Sequence, residues 1–316
     1  MRRLRIFTWH VHGSYLFYLA HARHDFFVPV KPGRPEGYVG LPAGGHPWPS
    51  NLTEVPAETV AALELDCILF QTKRNYLEDQ HEILSGAQQR LPRIHVEHDP
   101  PRRHPVDERH PVDDPEVLLV HVTPFNQLMW DSGATPTRVI EHGVAVPAGV
   151  RYSGELARGL SIVNNLPSRG RRVGADVFAR VRDEVPLDLV GMASKELGGL
   201  GDLPHDRLLP LAARYRFLFN PIRYTSLGLA VCEAMMLAMP VVAFATTEYA
   251  TVVEDGVSGY AGTRVEPLVE RMRELLENPA EARRLGAGAR RIAEERFSLD
   301  RFVHDWNDAF ALVTGA

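Results

Sequence analysis

The stretch Asn220-Pro-Ile-Arg-Tyr-Thr-Ser-Leu-Gly-Leu-Ala-Val-Cys-Glu-Ala-Met-Met236, continued by Leu237-Ala-Met-Pro-Val-Val-Ala243, decides how this chain is read. Phe217 to Asn220 is an apolar run with the length of a buried strand, and a turn with Arg223, Thr225, Ser226 and Gly228 follows. Leu229 to Ala238 then reads as a helix, Pro240 as its stop, and Val241 to Ala245 as the next strand. Thr225 and Ser226 are good capping residues, and Gly228 lets the backbone approach a ligand closely. The N–H groups at such a helix start attract an anion such as a diphosphate. Glu233, one turn inside, is placed to accept hydrogen bonds from ribose hydroxyls. On these residues alone, an ordinary capped core helix with a surface glutamate is an equally good reading, because strand–turn–helix units are common to all α/β folds.

The same alternation runs outward in both directions. Strands are expected at Leu4 to Thr8, Phe26 to Val30, Cys67 to Gln71, Arg93 to Glu97, Leu118 to Thr123 and Arg138 to Glu141. Helices are expected at Ser14 to Ala22, Arg74 to Ser85 and Pro124 to Asp131, and the Gly- and Pro-rich Lys31 to Asn51 as a long irregular loop. The pattern restarts with strands Leu160 to Asn164 and Leu187 to Val190 and helices Gly174 to Asp183 and Arg207 to Tyr215. From Val265 onward the chain reads as helical, punctuated by Pro279 and Gly286. Repeated strand–helix alternation implies α/β architecture with parallel sheets, and the restart implies two domains, joined through Pro147 to Gly154. Ligands then belong at the carboxyl ends of the strands.

The bulk properties agree. The chain has 316 residues, enough for two domains, with 45% hydrophobic and 24% charged residues, as in ordinary globular proteins. A net charge of −5 argues against a general nucleic-acid binder. Cys67 and Cys232 each lie in apolar runs and are expected as buried thiols. No signal peptide and no membrane span is read, since the apolar window Leu227 to Ala245 contains Glu233 and Pro240. A cytoplasmic placement follows as the expectation, with peripheral attachment at the inner face of the membrane left open.

The segment resembles the donor-binding signature of retaining glycosyltransferases of the GT-B fold, in the family numbered four (glycosyl transferases group 1). Thr225-Ser226-Leu227-Gly228-Leu229, Glu233-Ala234-Met235 and Pro240-Val241-Val242-Ala243 carry the likeness, with Val252-Val253-Glu254-Asp255-Gly256 downstream. The family pairs two glutamates seven residues apart. Glu233 matches the second, which holds the ribose, and the first, which contacts the donor sugar or its phosphate, falls on Thr225, with seven residues between the two. Val163-Asn164-Asn165-Leu166 resembles a strand end at which the family places a diphosphate-binding arginine, on Asn165 here. Arg169-Gly170-Arg171-Arg172 resembles the following Lys-Gly, and the fork geometry of Arg169 and Arg172 suits pyrophosphate. Gly191 matches the next strand end. The resemblance implies two Rossmann-like domains facing across a cleft, residues 1–149 for the acceptor and 150–296 for the donor. A final helix, residues 297–316, would return to the first domain.

The acceptor side is read more thinly. His98-Asp99-Pro100 resembles the family's His-Glu-Pro, which makes His98 and Asp99 the catalytic candidates. His12 and Gly13 follow the first strand where the family has a glycine-rich turn. His95 to Asp114 holds four histidines, but no spacing matches known zinc patterns, and the family uses no catalytic metal; no metal and no cofactor is expected. Phe302, Val303, Trp306, Phe310 and Leu312 form the apolar set of the last helix. The expected activity is hexosyl transfer from a nucleotide-diphosphate sugar to an acceptor hydroxyl, with retention; the acceptor is unread. The alternatives are an epimerase or hydrolase of nucleotide sugars on the same fold, and a non-catalytic nucleotide-sugar-binding module.

Overall fold

Runs of four to six buried residues, such as Cys67–Phe70 and Tyr215–Asn220, have no polar face to offer water, so they sit in the middle of sheets covered on both sides. The computed structural model describes residues 2–11, 13–42 and 46–316 and divides them into two units. The first extends to Gly143 and includes Leu299–Ala316, and the second is Val144–Ser298.

The first unit has strands β1 (Arg5–Thr8), β2 (Asp25–Val30), β3 (Leu52–Pro56), β4 (Cys67–Phe70), β5 (Arg93–Glu97), β6 (Val117–His121) and β7 (Thr137–Val139). They form one parallel sheet in the order β3-β2-β1-β4-β5-β6-β7. Its helices are α1 (Gly13–Leu19), α2 (Gln80–Ile83) and α3 (Pro124–Met129). Phe7, Trp9, Ile68, Phe70 and Val55 form a buried cluster with Tyr38, which the 31–51 connection brings over the sheet.

The second unit has β8 (Leu156–Ile162), α4 (Leu166–Arg169), α5 (Ala175–Arg182), β9 (Leu187–Val190), α6 (His205–Ala212), β10 (Tyr215–Asn220) and α7 (Leu229–Met236). It continues with β11 (Val241–Phe244), α8 (Tyr249–Val252), β12 (Gly259–Gly262), α9 (Val265–Glu277) and α10 (Pro279–Arg296). Its parallel sheet runs β12-β11-β10-β8-β9. Arg216 on β10 is 6% exposed, yet its guanidinium is satisfied by the carbonyls of Gly154, Leu275 and Leu276, which caps the end of α9. The last helix, α11 (Leu299–Thr314), belongs to the first unit. It buries Phe302, Trp306 and Phe310 beside Tyr15, His24 and Phe26. Arg301 ties its start to the carbonyls of Glu141 and His142.

Several expectations are corrected. Arg74 to Ser85 is not one α-helix: Asn75–Asp79 is a π-helical turn ahead of α2. There Asn75 accepts the Gln71 N–H and donates to Asp79, which widens the turn. Strands β3 and β12 carry no strong apolar run because both are edge strands, where Pro56, Gly259 and Gly262 are tolerated. Gly286 does not punctuate the last helices but lies inside α10, where a Cβ would stand 2.0 Å from the Ala238 carbonyl oxygen. Leu312 is 67% exposed, since it falls on the side of α11 away from Phe310.

Candidate active site

In the second unit the chain moves from β8 to β9 on one side and then to β10 on the other. The order therefore reverses between β8 and β10, and a crevice opens at their carboxyl ends. The residues after β8 and those after β10 both lie at this switch point.

After β8, Asn165 takes a left-handed conformation (φ 54°) and donates its N–H to the Met192 carbonyl (2.8 Å). The Asn164 side-chain oxygen accepts the Met192 N–H (2.9 Å), joining the ends of β8 and β9. Gly191 permits this clasp: at φ 134° its Cβ would lie 2.6 Å from the Val163 oxygen. Arg169 ends the short α4, and its guanidinium reaches back toward the Asn164 carbonyl (3.4 Å).

The next turn is tied to the end of β10. The Arg172 carbonyl accepts the N–H groups of Arg223 and Tyr224 (3.1 and 3.2 Å). Gly174, at φ 83°, lets Pro221 pass within what would be 2.0 Å of a Cβ. The structure thus brings Asn165, Arg169, Arg172, Gly191, Arg223 and the start of α7 to one edge of one sheet. Arg223, a donor-site candidate as a cation in the turn before α7, is engaged by a carboxylate. Both its terminal nitrogens hold Asp176 (2.6 and 2.8 Å), and that hydrogen bonding lowers the Asp176 carboxyl to about 2. Arg171 grips the same carboxylate (2.7 Å).

At α7 the capping residue is Gly228, with no side-chain cap. Thr225 and Ser226 are buried just ahead of it and do not cap the helix, because two further residues intervene. The Gly228 N–H is donated to the Tyr249 hydroxyl (3.2 Å), which donates in turn to the Ser226 carbonyl (3.3 Å). Gly228 is extended (φ −81°, ψ 139°), and a Cβ on it would meet only the Tyr249 oxygen, at 3.7 Å. Leu229 opens the helix. Glu233 is not a surface residue: it is 4% exposed and lies 2.9 Å from Nε2 of His205, the first residue of α6.

In the first unit the order reverses between β1 and β4, and polar groups meet there. His98 Nε2 contacts the Gln71 side-chain oxygen (2.9 Å), and Gln71 donates to the Thr8 hydroxyl (3.2 Å). The His98 ring also packs edge-on against Tyr15 (4.6 Å). The Asp99 carboxylate is bound to Arg102 (2.5 Å), and its carbonyl accepts the Trp130 indole N–H (2.8 Å). Gly13 starts α1, where a Cβ would meet the His10 ring at 3.1 Å; His12 lies outside the described residues. His46 stacks on Phe17 (4.8 Å) and Trp48 packs edge-on to His10 (5.2 Å), which lays part of the 31–51 connection on α1. An open hollow of about 680 Å³ lined by Arg34, Leu41 and Glu54 contains none of these groups.

Asp176, His205, Gln71 and Tyr249 were not legible as site residues. Each acts through a partner 21 to 63 positions away, and no local motif marks it. His95, Glu97 and His110, whose spacing matches no zinc pattern in the sequence, also come together, with ligand atoms within 4.8 Å of one another.

Residues 194–292 match the family model described as glycosyl transferases group 1. No curated protein sequence matches the chain. Among solved structures, the chain is similar to sucrose-phosphate synthase from Thermosynechococcus elongatus, with a TM-score of 0.72 and 16% identity over 99% of this chain and 100% of that one. It is similar to HepE from Anabaena, solved with UDP and glucose, with a TM-score of 0.68 and 16% identity over 98% and 100%. It is also similar to AviGT4, a glycosyltransferase of avilamycin A biosynthesis, with a TM-score of 0.65 and 15% identity over 99% and 99%. The fold is that of GT-B glycosyltransferases, and the group 1 family match lies in the second unit, where it spans α6, the β10–α7 turn and Glu233.

Proposed function

We propose that the enzyme transfers a hexosyl group from a nucleotide-diphosphate sugar to an acceptor hydroxyl, with retention of configuration and without a catalytic metal. The observation that carries this reading is the β10–α7 turn. A helix with no side-chain cap starts at the switch point of the second sheet, tied through Arg172 to an arginine-rich turn. A diphosphate leaving group develops negative charge as the glycosidic bond breaks. Helix-start amides from Leu229 onward, with Arg169 and Arg172, would stabilise that charge without reorganising, which is commonly the largest catalytic contribution. The Gly228 amide would act indirectly, by fixing Tyr249 and the turn. Arg223, bound to Asp176, would brace the turn rather than meet the phosphate.

Glu233 would receive the ribose hydroxyls, with His205 holding its carboxylate in place. Gly191 and Asn165 shape the floor of this site. Thr225 carries no charge, so contact to the donor sugar would rest on neutral hydrogen bonding. HepE was solved with UDP-glucose, which favours a uridine nucleotide as the first donor to try. On the acceptor side His98 is the candidate polar group, its ring oriented by Gln71 and Tyr15. Asp99 holds Arg102 and is given no catalytic part.

A panel of UDP-, GDP- and dTDP-sugars incubated with the full chain tests the reading. Slow release of free sugar and nucleoside diphosphate from one donor, accelerated by an acceptor, is the expected result. Conversion to an isomeric nucleotide sugar would instead establish an epimerase. Tight binding with no turnover under any acceptor would establish a binding module. The anomeric configuration of the product tests retention.

A further inference from the structure

We infer that the first unit holds a divalent transition-metal ion of the zinc class at His95, Glu97 and His110, which staples the connection between β5 and β6 to the sheet. His95 and Glu97 are two apart on β5, so both side chains project from one face of the strand. His110 arrives from the 98–116 connection, held by its N–H to the Asp131 carbonyl (2.8 Å). One ligand atom from each of the three lies within 4.8 Å of the other two. Two imidazoles and a carboxylate are a donor set that suits zinc and its neighbours, with water completing a four-coordinate site.

The independent observation is His95. It is wholly buried, against Phe70 and Tyr76 and beside the Thr72 backbone, and neither ring nitrogen makes a hydrogen bond of ordinary geometry among the described residues. A buried imidazole left in that state is costly, and a metal ion removes the cost by accepting its lone pair.

The other two ligands are already oriented. Glu97 Oε1 accepts the Asp99 N–H (2.8 Å), and its Oε2 meets His110 Nε2 (3.0 Å). His110 Nδ1 accepts the Val112 N–H (3.1 Å), so without metal its proton sits on Nε2. Binding through Nε2 moves that proton to Nδ1, which faces the Val112 carbonyl (3.4 Å), so the ring stays a neutral imidazole, while the Glu97 oxygen moves from proton to metal. His121, whose ring lies 6.4 Å from that of His110, and Trp130, at 4.9 Å, close the surroundings. The ion would therefore fix the segment that begins with His98 and Asp99. Its role is to hold that segment, and no bond of the transfer reaction passes through it.

The test uses the tag-free full chain, loaded with zinc sulfate and then desalted. About one equivalent of zinc should remain by atomic emission, and the melting temperature should rise by roughly 5–10 °C at a hundredfold excess over Kd. Substitution by cobalt(II) should give the intense visible bands of a four-coordinate ion. His95→Gln and His110→Gln, checked for folding by circular dichroism, should lose both signals. Folded wild-type chain that retains no zinc overturns the inference. So does zinc retained equally by the folded variants, which would place the ion elsewhere. Should both variants fail to fold, the wild-type cobalt spectrum decides: absence of the visible bands overturns the site.

Discussion

Replacing Gly228 by alanine separates what the fold requires from what the ligand requires. Most glycines at tight turns are needed by the protein itself: Gly174 and Gly259 take positive φ, and their Cβ atoms would strike backbone at 2.0 and 1.8 Å. Gly228 is different. Its φ of −81° and ψ of 139° lie where any residue is comfortable, and the nearest atom to an added Cβ is 3.7 Å away, an ordinary contact. Gly228→Ala should thus leave the fold intact and raise its stability by up to about 1 kcal/mol, by restricting the unfolded chain. Donor binding should suffer if a diphosphate approaches the backbone at this turn. A methyl group between the turn and the phosphate removes at least one charge-assisted hydrogen bond, which is about 1.5–3 kcal/mol, or roughly a 10- to 150-fold rise in Kd. Urea denaturation and calorimetric titration with nucleoside diphosphates measure the two sides. Unchanged nucleotide affinity in a stable Gly228→Ala protein would refute the placement of the phosphates. A large loss of stability would instead refute the reading of the turn as unstrained.

Other expectations follow from the same site. Glu233→Gln retains an acceptor for His205 and should cost little stability, whereas Glu233→Ala removes the carboxylate from a buried imidazole and should cost about 1–3 kcal/mol; both should weaken nucleotide binding, and equal affinity for wild type and Glu233→Ala would remove Glu233 from the ribose role. Arg169→Ala should weaken pyrophosphate binding more than Arg223→Ala does, because the Arg223 charge is already matched by Asp176; the reverse ranking in a titration would exchange their roles. The Asp176 carboxyl is held at about 2, below the ordinary 3.8, by hydrogen bonding to Arg223. Its contribution to stability is therefore complete above about pH 4 and is lost as pH falls toward about 2. The carboxylate is 38% exposed, so solvent screening keeps this contribution modest. Asp176→Asn should flatten the acid limb of stability in that window, and urea midpoints that fall in parallel for both proteins would count against the pairing.

The sequence by itself determined the two-unit α/β organisation, the strand–turn–helix around Gly228 and an amphipathic last helix, whose return to the first unit only the family resemblance implied. These rest on local signals: apolar runs of strand length, Pro240 as a stop, and the period of Phe302, Trp306 and Phe310 along α11. It could not show that Arg223 is bound to Asp176 or that Glu233 faces His205, since those partners lie 47 and 28 positions away and meet only when two strand ends adjoin. For the same reason four histidines between His95 and Asp114 matched no ligand spacing. One strand places His95 two residues from Glu97, but only the folding-back of the following connection delivers His110. Nor could a row of letters separate Gly228, which the fold tolerates as alanine, from Gly174, which it does not. That difference is a matter of which carbonyl stands opposite, and tertiary packing alone decides it.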